Sequence, residues 1–181
     1  MKSYFEQYRP FFAFLLRFFL VYVLLSVFYQ SHLSTYPRFT PDVITSEVAD
    51  ESVTLLKWMN YRASVDRSPS EPSYLLKLEG ENVARIIEGC NAVSVAILFV
   101  SFVVAFRGRT IHTILFIVGG IVVIHILNII RIALLAAALL RFPEYEHLLH
   151  GVVFPLFIYG VVFLLWVVWV NRFSLYAGKK K

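Results

Sequence analysis

The chain has 181 residues, 59% of them hydrophobic and 17% aromatic, with 17 Lys and Arg against 12 Asp and Glu for a formal charge of +5. A mean hydropathy of +0.70 leaves too little polar surface to clothe a soluble domain of this size, so the chain reads as an integral membrane protein. No basic groove or nucleic-acid motif accompanies the positive charge, and nucleic acid is excluded as a partner.

The first apolar run, about residues 10 to 29, follows Lys2 and Arg9. It is longer than the core of a secretory signal and is followed by no small-residue cleavage site, so it reads as an uncleaved anchor. Residues 31–88 are the only part with soluble character. Within them VITSEVADESVTLLKWMNY has the period of an amphipathic helix, with Val43, Ile44, Val48, Val53, Leu55, Leu56 and Trp58 available for burial. Such a helix would lie against the membrane or cap a bundle. RSPSEPS then reads as a loop, and YLLKLEGENVARIIEG is too charged to span, its pattern suiting a strand or an interfacial helix. Three further apolar runs follow, at about 90–106, 111–140 and 150–171; the first is near the lower limit for a span, and the second is long enough for a span plus extra turns. The expected architecture is a single all-α membrane domain over 1–181, a bundle of about four transmembrane helices with one external region, 31–88, of about 58 residues.

Charge orients the bundle. Lys2, Arg9, Arg107, Arg109, Arg172, Lys179, Lys180 and Lys181 face only Glu6, whereas 31–88 carries nine acids against six bases, and 141–149 has Glu144 and Glu146 against Arg141. Because short cytoplasmic loops collect Lys and Arg, both termini and the turn at 107–109 are expected inside, with 31–88 and 141–149 outside.

With that orientation the unusual polar residues fall in one layer. Cys90, the only cysteine, stands at the outer mouth of the second span between Glu88-Gly89 and Asn91. Arg131 lies twenty residues past Ile111 on the outbound third span, ~30 Å of helix and about one hydrocarbon thickness. His147 and His150 stand at the outer mouth of the fourth. On a continuous helix from 90, Cys90, Ser94 and Ser101 would share a polar face, with the helix dipole favouring a thiolate; His125 and Asn128 precede Arg131 at spacings of three. Taken singly, Cys90 could be a small apolar filler, Arg131 a snorkelling side chain and the histidines interfacial. Together they suit acyl transfer: a thiolate nucleophile, an imidazole that carries the proton, and a cation where the oxyanion develops. An oxidising exterior also accounts for a solitary thiol, since a second could lock it in a disulfide.

These residues carry a resemblance. EGCNAVSVAILFVSF is similar to the cysteine signature of the exosortase and archaeosortase family, NIIRIALL resembles its arginine motif, and HGVVFPLFIYG resembles its final, histidine-bearing helix; the last, with the short length, is closest to the small Bacteroidetes variant XrtF. The resemblance implies a membrane cysteine peptidase or transpeptidase that needs no cofactor or metal. It would cleave C-terminal sorting signals of exported proteins (motif, apolar helix, basic tail) at the outer, periplasmic face of the bacterial inner membrane. Cys90 matches the nucleophile and Arg131 the arginine; His150 is favoured as the histidine, with His147 the alternative, and Glu88, Asn91, Asn128 and His147 are expected in support. Many relatives have more spans, so enclosing a substrate helix points to a homo-oligomer or a small partner subunit. Two readings from other classes stand beside this one: a non-catalytic membrane assembly subunit, and a metal site formed by Cys90, His125, His147 and His150.

Overall fold

The computed structural model describes residues 2–37 and 39–174, with residues 2–7 as backbone only. The side chains of Lys2 and Glu6, and the basic residues Lys179, Lys180 and Lys181, lie outside the described residues. Helix α1 spans Lys2–Leu33 and α2 spans Val43–Trp58. Strands β1 (Ala63–Arg67), β2 (Ser73–Leu78) and β3 (Glu81–Ile87) follow, then a 3-10 turn, Glu88–Cys90. Helix α3 spans Val93–Ala105 and α4 spans Thr110–Arg141, and the last helix runs from Pro143 to Phe173 through 3-10, α and π turns.

Among the described residues, three helices are long and apolar enough to cross a membrane: Tyr8–Leu33, Thr110–Arg141 and Pro143–Phe173. The fourth expected span is the shorter α3, 13 residues and ~20 Å of rise. The chain is therefore a polytopic helical membrane protein. It also carries a sheet that an all-α description leaves out, with strand order β1-β2-β3, antiparallel throughout, and a bulge between Leu76 and Lys77. A two-residue connection, Glu79-Gly80, joins β2 to β3, both residues with positive φ (54° and 92°) as a type I′ hairpin turn requires. RSPSEPS supplies the turn between β1 and β2.

Two hydrophobic clusters organise the molecule. The first joins Val48, Ala49, Val53 and Leu56 of α2 to Ala63, Leu76, Leu78 and Ile86 of the sheet, to Cys90, and to Ile132, Ala133 and Ala136 near the end of α4. At 32 residues α4 is ~48 Å long, well beyond a hydrocarbon thickness of ~30 Å, and its last turns leave the bundle to become part of this cap. Helix α2 buries Val48, Val53 and Leu56 as its period predicts, but Val43 and Trp58, at its two ends, are exposed. Asp42 caps α2, its carboxylate accepting from the Thr45 amide at 3.1 Å and the Thr45 hydroxyl at 2.5 Å. His125 of α4 bonds Glu51 of α2 at 2.7 Å, fastening the cap to the bundle.

The second cluster lies within the bundle: Ala92, Phe99, Val103, Ile124, Val162 and Trp169. Gly120 admits the Phe99 ring, and Gly108 admits Trp169; a Cβ there would stand 2.2 Å and 2.6 Å from those rings. Gly108 also pairs with Ser174, which brings the 107–109 turn and the end of the last helix together. At the opposite end of the bundle the Asn91 side chain donates to the Tyr29 hydroxyl of α1 at 2.8 Å.

Candidate active site

Cys90 sits where the two clusters meet. It closes the 3-10 turn rather than opening α3, and Ala92 follows with φ of 62°, left-handed backbone that an L-residue adopts at a cost of ~1–2 kcal/mol. Helix α3 then begins at Val93, whose amide donates to Asn91 Oδ1 at 3.0 Å. This corrects the expectation of one continuous helix from residue 90. The reversal at Ala92 puts Cys90 out of phase with α3, so Ser94 is exposed on the α1 side while Ser101 is buried and bonds the Ile97 carbonyl. No polar face joins the three, and the first amide of α3, that of Val93, is taken by Asn91 Oδ1.

Asn128, fully buried on α4, is the hinge of the site. Its Nδ2 donates to the Cys90 carbonyl at 2.7 Å, and its Oδ1 accepts from Arg131 Nη1 at 3.2 Å. An amide side chain offers a donor and an acceptor on separate atoms, so one residue fixes both the cysteine turn and the guanidinium. Arg131 Nε is buried and has no hydrogen-bond partner among the described residues.

A cavity of about 230 Å³ opens beside this arrangement, lined by Cys90, Arg131 and His150, with Glu146, Arg85 and the apolar residues of β3 and α4 around them. His150 belongs to a π turn, Leu149–Val153, just before Pro155. Proline has no amide to give the carbonyl of Gly151 and its ring crowds that group, a local reason for the helix to widen there. His147 is exposed and is not part of the cavity wall; Glu146, one turn before His150, is.

Among the other expected residues, Asn91 lies in the turn beside the site, tied to Tyr29, to Thr45 Oγ1 at 3.1 Å and to Val93. Glu88 lies on the α1 side with Tyr29, Gln30 and Ser94. Burial raises its pKa above the usual carboxylate value, and the charge of Asp42 adds to the rise. His125 is engaged by Glu51, and among the described residues no three His, Cys, Asp or Glu side chains come together as the four-residue metal reading requires. Two charged lining residues were not among the expected site residues. Glu146 was within reach of it, four residues before His150 on one helix face; Arg85 was not, because its place depends on the sheet.

The model of the transmembrane exosortase family matches residues 9–172, a stretch that takes in the anchor, the cap and every residue of the cavity. The match is to the family as a whole and to no subtype within it. Neither curated proteins nor solved structures gave a match.

Proposed function

The chain belongs to the transmembrane exosortase family, and from that premise we propose that it is a membrane cysteine peptidase and transpeptidase that removes the C-terminal sorting signals of exported proteins. The observation that carries the reading is that Cys90, Arg131 and His150, from three separate elements, line one cavity.

The chemistry follows from what each group can do. His150 takes the proton of the Cys90 thiol, and the thiolate sulfur attacks the scissile carbonyl carbon. The carbonyl oxygen gains the negative charge, and Arg131, held by Asn128 and with its Nε not bonded within the protein, stabilises it. The C–N bond then breaks, His150 returns the proton to the leaving amine, and the new carboxyl terminus is left as a thioester on Cys90. An amine acceptor or water attacks that thioester and releases the sulfur as thiolate. Glu146, on the same wall, is placed to orient or charge-stabilise the imidazolium.

The site works at the outer face of the bacterial inner membrane, with both termini cytoplasmic. Support comes from the charge asymmetry of the loops and from the pairing of Gly108 with Ser174, which keeps the two basic ends together and away from the cap. Reporter fusions at Ser68 and after Lys181 should report opposite sides. The chemical test is release of a cleaved sorting signal in cells. Cys90→Ala should abolish release, and Arg131→Lys, which keeps charge but loses the planar fork, should lower it on the order of 10²- to 10³-fold. His150→Ala should be severe and His147→Ala mild. Undiminished release in Cys90→Ala would remove the enzyme reading and leave that of an assembly subunit.

A further inference from the structure

The two edges of the cap sheet differ. Strand β1 is guarded by polar residues, Ser64, Asp66 and Arg67, and Arg67 Nη2 bonds the Phe39 carbonyl and Thr40 Oγ1, closing that side with the preceding loop. Strand β3 has no such cover. No backbone group outside the sheet bonds to Glu81–Ile87 among the described residues, so the outward amides and carbonyls of this edge are unpaired. Over Val83–Ile87 the strand carries one charge, Arg85, which is held in an ion pair by Glu71. Natural edges of that kind are usually blocked by charge, proline or a covering element, because they invite another strand.

This edge also borders the candidate site. Five consecutive residues of β3, Val83 to Ile87, line the same cavity as Cys90, Arg131 and His150, and the chain passes from Ile87 to Cys90 within a single 3-10 turn. We infer that β3 is the docking strand for the substrate: the extended segment of an exported chain just before its scissile bond adds to the free edge as a fourth strand. This rests on the peptidase reading above and deepens it. The direction is set as well. In the proposed topology β3 runs from the exterior towards the membrane and into α3, and a chain that ends in an apolar helix and a basic tail runs the same way. The added strand is therefore parallel to β3, and its last paired residue opposite Ile87 leaves the next peptide bonds beside Cys90. Main-chain pairing of this kind fixes the position of a backbone without reading most of its side chains, so one site can accept many exported proteins.

A parallel partner bonds the edge through alternate residues, which makes the test periodic. The probe is a secreted reporter carrying the C-terminal motif, apolar helix and basic tail of an exported protein from the same genome, processed by the full chain in its own membrane. Once the cut is mapped by mass spectrometry, each of the five residues before it is changed to proline and, as a control, to alanine. Proline at alternate positions should lower processing about tenfold relative to alanine at the same position, the effect of one lost ladder bond, while the positions between stay within about twofold. A second measurement needs no turnover: in a Cys90→Ala, Ile87→Cys chain, a single reporter cysteine should form a disulfide most readily at the position paired with Ile87 and poorly at the positions on either side of it. Uniform sensitivity to proline, or none, with normal cleavage of the unmodified reporter would overturn the docking strand and leave the peptidase standing. Failure of the full chain to cut the unmodified reporter would overturn both.

Discussion

The cap and the bundle are each built round a hydrophobic cluster, but different forces assemble them. In the cap, aliphatic side chains from α2, the sheet and the end of α4 leave water together, and ion pairs such as Arg62–Glu79 and Lys77–Asp66 stand on the outer surface. In the bundle the surroundings are as apolar as the interior. Large residues such as Leu16, Phe28, Leu115, Leu156 and Leu164 are exposed, and association depends on shape: Phe99 against Gly120, Trp169 against Gly108, and Phe102 stacked on Trp166 at 4.2 Å. The difference shows why the candidate site lies where it does. Cys90 belongs to the first cluster and Ala92 to the second, so the turn between them couples a water-facing scaffold to a membrane-embedded one.

The largest loss is expected in the cap. Leu76→Ala empties a fully buried position and should cost ~2–5 kcal/mol, seen as faster hydrogen exchange of α2 and β2 amides while the amides of α3 and mid-α4 stay protected. Equal loss in both regions would mean that they are one cooperative unit. In the bundle the counterpart is Gly120→Ala, which forces a methyl into the Phe99 ring and should cost ~1–3 kcal/mol in a thermal melt in detergent. Its neighbour Gly119 has open space, and Gly119→Ala should be silent.

Much of this was legible in the sequence and some was not, for physical reasons. Run length gave the spans, and a 3.6-residue period gave α2, because burial on one face is written directly into a helix. The convergence of Cys90, Arg131 and His150 could be read from depth alone, since rise per residue is fixed. The β2–β3 hairpin could not, because LLKLEGENVARII alternates weakly and Glu-Gly is a fainter turn signal than Asn-Gly. Nor could the break before α3: alanine seldom takes positive φ, so nothing in CNAVS announces that Ala92 turns the cysteine out of the helix.

Smaller changes sharpen the boundary itself. Asn128→Ala leaves the Cys90 carbonyl and Arg131 without their shared partner, and a misplacement near 1 Å costs on the order of 10² in rate, so processing should fall about that much while cap exchange changes little. The least effect is expected at Glu88. Its raised folded pKa means that the stability it contributes is fully present below the usual value of 4.5 and is lost as pH rises through the folded value. Glu88→Gln should therefore match the parent chain under acid and be the more stable of the two at neutral pH. A stability difference that is larger in acid would contradict the burial cause.

The central claim, that Cys90 forms an acyl-enzyme in a cavity shared with Arg131 and His150, is tested most directly by mass spectrometry of the chain trapped during processing of a sorting-signal reporter. The account predicts a hydroxylamine-labile adduct on the peptide that contains Cys90, equal in mass to the reporter peptide that ends at the cut less one water, and absent in Cys90→Ala. Continued processing with no such adduct, or an adduct that forms equally well in Cys90→Ala, would contradict it.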